Sequence, residues 1–168
     1  MVYSEIIEKV RKSEKQRLAV MCYAQYGNKV LFLLRKKEPF AGFLVPPGGK
    51  VEKGEEIEDA VRREFREETG LELNELKLKM VTTEEGPENY NWILFTFVGK
   101  VDSDKTIECS EGELTWIDKD MMLKQNLSTI DRMLIPYIFT DDDRVNIIEI
   151  IYNENREPRI LSVKEVKP

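Results

Sequence analysis

Glu64, Glu67 and Glu68 stand at i, i+3 and i+4 in a stretch that reads as a helix from Glu56 to Thr69. Successive helical side chains lie about 100° apart, so Ile57, Ala60, Val61 and Phe65 define one apolar sector. Glu64 and Glu68 project into the middle of that sector, with Glu67 at its edge. The same wheel puts Glu58, Asp59, Arg62, Arg63 and Arg66 on the opposite, solvent-facing side. Carboxylates on a packing face are costly to desolvate, and three so close together repel one another. A hard divalent cation, which takes oxygen ligands, relieves both costs. The competing view is a charged surface helix with incidental acidic clustering. The position on the apolar stripe, fed by the Gly48-Gly49 turn, favours a metal site.

The elements that must position these groups follow from periodicity and turn residues. Leu18 to Tyr26 and Val30 to Arg35 read as strands of a hairpin around Gly27-Asn28-Lys29. Lys36 to Gly42 reads as a loop and Phe43 to Val45 as a short strand stopped by Pro46-Pro47-Gly48-Gly49. The acidic helix stops at Gly70. Leu76 to Thr83 and Trp92 to Val101 read as paired strands around a loop from Glu84 to Asn91. Glu113 to Ile117 is a further strand, with helices expected at Asp118 to Leu123 and Ser128 to Phe139. Val145 to Tyr152 and Arg159 to Val166 form a closing hairpin. These alternations predict an α+β sandwich with the sheet between helices. Three parts are expected: an amphipathic lead-in at 1–17, a main domain at 18–140 and a hairpin extension at 141–168.

Composition narrows the chemistry. The chain has 168 residues, 41% hydrophobic and 35% charged, which suits one globular domain. A net charge of -6 argues against a nucleic-acid polymer as partner, but a bound cation would let it take a polyphosphate. The expectation is a cytoplasmic protein, with no membrane-spanning run and no leader peptide. Cys22 and Cys109 are expected to be buried free thiols. Histidine is absent, so a general base must be a carboxylate, a lysine or a tyrosine.

The segment Gly49 to Leu71 resembles the signature box of the Nudix hydrolases. That box is Gly, five residues, Glu, seven residues, then Arg-Glu-apolar-any-Glu-Glu-any-Gly-apolar. Gly49, Glu55, Arg63, Glu64, Phe65, Glu67, Glu68, Gly70 and Leu71 fill it, with Phe65 where an aliphatic residue is more usual. The resemblance implies an αβα sandwich with a mixed β-sheet and a Mg²⁺-dependent cleavage of a pyrophosphate bond, Mn²⁺ being the alternative ion. It implies metal ligands at Glu64, Glu67, Glu68 and the Gly48 carbonyl, with Arg63 and Glu55 orienting them through a salt bridge. It offers two candidates for the water-activating base, Glu64 and Glu111, with Glu113 as a fallback. Glu111 is preferred because it stands five residues before a strand tryptophan, Trp116, as in nucleotide-cleaning relatives. Arg35 resembles a phosphate-contacting arginine, and Lys50 could do similar work. Phe40, Phe43, Tyr90 and Trp92 are candidates for stacking on a base. Asp131 falls where relatives read an oxidised purine.

The stretch Glu108 to Ile117 with Asp131-Arg132 looks most like MutT-type 8-oxo-dGTP diphosphatases. Two features depart from oxidised-nucleotide enzymes. Val45 stands where some have a base-reading Asn, and Leu44 replaces a common Trp. Pro87 resembles a proline downstream of the box in ADP-ribose pyrophosphatases, which keeps that activity as the alternative. A catalytically silent nucleotide-binding domain is the alternative from another class, and the full set of box carboxylates argues against it. The expected partner is a small nucleotide, with a homodimer through the closing hairpin left open.

Overall fold

The computed structural model describes residues 17–38, 40–87 and 90–167. All but Arg17 of the expected lead-in therefore lies outside the described residues. These hold nine strands: β1 (Arg17–Tyr26), β2 (Lys29–Arg35), β3 (Leu44–Val45), β4 (Gly48–Lys50), β5 (Asn74–Gly86), β6 (Tyr90–Lys100), β7 (Gly112–Asp118), β8 (Val145–Tyr152) and β9 (Pro158–Val166). The helices are α1 (Ile57–Thr69) and α2 (Thr129–Leu134), with 3₁₀ turns at Lys119–Lys124 and Ile135–Tyr137.

One mixed sheet carries the fold, in the order β3-β2-β1-β6-β5-β8-β9, with β4 on β1 and β7 on β2. The β1–β6 and β5–β8 pairs are parallel; the others are antiparallel. β1 and β2 meet only near their turn, where Gln25 pairs with Val30 and Tyr26 with Lys29. Beyond that they splay. β3 pairs with β2 and β4 with β1, so the segment from Leu44 to Lys50 fills the resulting fork. The three-residue strand Gly48–Lys50 was not expected, because two prolines followed by two glycines read as a stop signal. It forms because the open edge of β1 supplies the partners, and Cys22 N–H donates to Pro47 O at 3.0 Å.

Side chains alternate across the sheet and build a core on each face. On one face α1 buries Ile57, Ala60, Val61 and Phe65 against Val20, Cys22, Phe95 and Phe97. Full burial of a side chain such as Phe65 contributes roughly 1.5–3 kcal/mol. Gly70 ends α1 at φ 77°, and its N–H donates to Arg66 O at 2.8 Å. On the other face, Tyr23, Phe32, Met80, Ile148 and Ile150 pack against Ile130, Leu134 and Ile138. This is the α+β sandwich with the sheet between helices.

The segment expected as one helix from Ser128 to Phe139 is shorter. Ser128 Oγ caps it by accepting from Asp131 N–H at 3.2 Å, but α2 stops at Leu134 and becomes a 3₁₀ turn. Pro136 accounts for the change, since it has no N–H to continue the helix and its ring crowds the preceding turn. The expected helix at Asp118 to Leu123 is likewise a 3₁₀ turn. Lys79 on β5 is 1% exposed; its ammonium donates to Asp142 O at 2.7 Å and fastens the approach to β8.

Candidate active site

The fork between β1 and β2 places Gly48 and Gly49 directly against α1. A Cβ on Gly49 would lie 2.3 Å from the Glu64 carboxylate, so only glycine leaves that carboxylate where it is. Gly48 is tighter still, because a Cβ there would meet Val20 O at 2.1 Å. Its N–H donates to Glu68 Oε2 at 3.3 Å. The glycine turn and the acidic helix thus form one surface.

Arg63 is turned into this surface and not out to solvent, correcting the helical-wheel placement. Its side chain is 21% exposed and forms a fork: Nε and Nη2 donate to Glu55 at 2.7 and 3.0 Å, and Nη1 to Glu64 at 2.9 Å and Glu67 at 3.2 Å. Nη2 also donates to Lys50 O at 3.1 Å. The long stem lets the guanidinium curl across the first turns of α1 to reach acids on both sides. Arg62 also faces inward in part, donating to Leu73 O at 2.7 Å. The Arg63 hydrogen bond holds Glu55 below the usual carboxylate range, and these acids push Arg63 up.

Glu64 and Glu68 behave differently. Burial raises Glu64, with Arg63 opposing and Glu67 and Glu111 reinforcing the shift. Burial pushes Glu68 up to about 8, and the negative charges of Glu111 and Glu64 add to it. Glu67 is well exposed, its side chain at 59%. Among the described residues no three acidic groups already converge as a ligand cluster. Arg63 draws Glu64 and Glu67 toward itself, while Glu68 leans on Gly48 and Glu111. The donors nevertheless suit a hard divalent ion. They are all oxygen, they crowd acidic groups together, and the missing Cβ of Gly49 lets the Glu64 carboxylate lie against the glycine turn beside the Gly48 backbone.

Glu111 precedes β7 and joins this group through Glu68; its carboxylate lies 3.9 Å from Arg35 Nη1. Its backbone carbonyl accepts from Lys36 N–H at 3.0 Å, fixing the loop to the end of β2. Glu113, the fallback base, is exposed on β7 opposite Leu34 and stands apart from the acids.

A cavity of about 260 Å³ runs from the glycine turn onto the α2 face of the sheet. Arg35, Lys50, Phe40, Tyr90, Trp92 and Asp131 line it, as do Gly48 and Gly49. Lys50 Nζ sits 6.0 Å from the centre of the Trp92 ring. Phe43 does not belong to the lining; it backs Phe40 edge-on at 6.4 Å. Its neighbours in β3 take the chain into the sheet, so of these two phenylalanines it is Phe40 that faces the cavity. Asp131 is held by the cap of α2 and pushed up to about 6 by burial.

Two lining residues escaped the sequence reading. Glu84, expected in a loop, lies within β5 and is only 3% exposed. Burial raises it to about 7, with the Tyr90 hydroxyl opposing and Asp131 reinforcing the shift. Tyr152, at the end of β8, packs on Tyr90 with ring centres 4.9 Å apart. A charged residue two places beyond the buried Thr82 in an alternating strand was the available signal for Glu84. Cys22 is fully buried and pushed upward by desolvation, an inert thiol, while Cys109 is only half-buried.

Comparison with known proteins agrees with this geometry. The model of the NUDIX domain family matches residues 15–138. The uncharacterized Nudix hydrolase YvcI of Bacillus subtilis is 40% identical over 102 residues, 58% of this chain and 63% of that protein. The ADP-ribose pyrophosphatase of Methanocaldococcus jannaschii is 47% identical over 75 residues, 41% of this chain and 44% of that protein. The chain thus spans less than two thirds of the length of either relative. The crystal structure of the MutT protein of Bacillus halodurans superposes with a TM-score of 0.74 at 28% identity, covering 89% of this chain and 97% of that one. A match over most of the chain, on a fold and glycine–helix surface of this kind, makes the protein a member of the NUDIX family.

Proposed function

We propose that the protein hydrolyses a pyrophosphate bond of a nucleoside triphosphate, of the 8-oxo-dGTP or dNTP type, to the monophosphate and pyrophosphate. The observation that carries this reading is a cavity that starts at Gly48 and Gly49, against which Glu68 and Glu64 pack from α1, and runs to an aromatic, acid-ended pocket. Mg²⁺ would be held by Glu64, Glu67, Glu68 and the Gly48 carbonyl. When bound, such an ion neutralises phosphate charge and lowers the pKa of water. Arg63 and Glu55 hold Glu64 in place, as their short hydrogen bonds do in the free protein. Arg35 and Lys50 receive the phosphates, and Phe40, Tyr90 and Trp92 hold the base. Glu111 takes the proton of the attacking water, which adds to phosphorus as the pyrophosphate oxygen leaves. Glu64, tied to Arg63 at 2.9 Å, is less free to accept that proton.

ADP-ribose pyrophosphatase activity is the second reading, favoured by the 47% identity to the M. jannaschii enzyme. A panel of 8-oxo-dGTP, ordinary dNTPs, ADP-ribose and diadenosine polyphosphates with Mg²⁺ decides between them. Turnover of a triphosphate above all others supports the first reading, whereas ADP-ribose hydrolysed far better than any triphosphate overturns it.

A further inference from the structure

Glu84 is a buried acid that the pyrophosphate chemistry does not use. Its register places it directly opposite Trp92 on β6 and beside Ile150 on β8, so carboxylate and indole share the cavity face. Three strand spacings separate β5 from β4, about 14 Å across the sheet, a reach that a base, a sugar and the first phosphates fill. Glu84 therefore stands at the base end when phosphates lie on Gly48 to Lys50. The hydroxyl of Tyr152 lines the same end, buried beside the hydroxyl of Tyr90, with which it interacts. No salt bridge to Glu84 exists among the described residues, and the neighbouring Asp131 is also acidic. The Tyr90 hydroxyl faces one side of the carboxylate, and a single phenol donor does not satisfy both oxygens of a buried acid.

We propose that Glu84, backed by the Tyr152 hydroxyl, selects the base of the substrate by accepting two N–H groups from the edge of a guanine-type purine. This rests on the triphosphate reading above. The ring N1–H and exocyclic amine of guanine point the same way and match the two oxygens of one carboxylate. Adenine and cytosine present a donor beside an acceptor, and thymine a single N–H between two carbonyls. Of these edges only the guanine type satisfies both oxygens. The raised proton affinity of Glu84 fits an acid that has no cation of its own. Tyr152 comes from the C-terminal hairpin, so that hairpin completes the base pocket as well as extending the sheet.

The test is kcat/KM for dGTP and dCTP at pH 8 with Mg²⁺, for the wild type, Glu84→Gln and Tyr152→Phe. Glu84→Gln keeps the side-chain volume but turns an amide NH₂ toward a donor. It should lower kcat/KM for dGTP about tenfold or more, through KM, with dCTP changed about twofold at most. Tyr152→Phe should reduce the dGTP preference about threefold. Thermal melts check folding, and Glu84→Gln should melt at or above the wild type at pH 8. An unchanged dGTP-to-dCTP ratio in both folded variants overturns the role of Glu84 while leaving the triphosphate reading standing. A wild type that turns over neither these two nor 8-oxo-dGTP overturns both.

Discussion

Gly48 and Gly49 are adjacent glycines with different tolerances. The Cβ of an alanine at 49 would meet the far end of a flexible glutamate, whereas at 48 it would meet the backbone of β1. Gly49→Ala is therefore expected to fold and to lose activity about 100-fold by displacing Glu64. Gly48→Ala is expected to lower the melting temperature. Steady-state kinetics beside thermal melts separates the two, and equal melting losses would contradict the distinction. Glu67→Gln and Glu68→Gln should each abolish Mg²⁺-dependent turnover with the fold intact; unchanged activity in either would remove the proposed metal site. The acids of α1 were legible because their spacing is local. The direction of Arg63 was not, since a wheel assigns a side to the Cβ and ignores how far a long stem can turn.

At the scale of elements, what sequence could not show was set by pairing between distant segments. The β1–β2 hairpin and its turn residues were readable, but β4 exists only because β1 and β2 splay. The β5–β6 turn was drawn too wide, since β5 runs through to Gly86 and β6 begins at Tyr90. That placed Glu84 in a loop and hid it. Glu113, the fallback base, pairs through β7 with Leu34 of β2, on the strand away from the acids of α1. We propose the limits 18–140 and 141–168 for the main domain and its extension, which Lys79 binds together through the Thr140–Asp142 turn. Lys79→Ala should destabilise the protein by about 2 kcal/mol, read from urea unfolding, by removing a buried side chain and leaving the partly buried carbonyls of Thr140 and Asp142 unpaired. No loss of stability would show that the extension is held by its strand pairing alone.

The whole molecule carries several carboxyls whose folded pKa lies above the unfolded value of 4.5 or 3.8: Glu68 at about 8, Glu84 at about 7 and Asp131 at about 6. Between the unfolded and folded values the native state binds more protons, so stability falls as pH rises through that window. The metal-free protein should melt higher at pH 5 than at pH 8. Glu84→Gln should flatten that dependence between about pH 5 and 7, by an amount on the order of 2 kcal/mol. Divalent ions should restore part of the loss at pH 8 through linkage. A melting temperature that rises from pH 5 to 8 would contradict the burial of these acids.

The cation and the pyrophosphate bond are tested together by ³¹P NMR of 8-oxo-dGTP incubated with the protein, with Mg²⁺ and with chelator. The expected result is monophosphate and pyrophosphate with Mg²⁺ and intact triphosphate with chelator. Diphosphate with orthophosphate, or equal turnover under chelation, would contradict it.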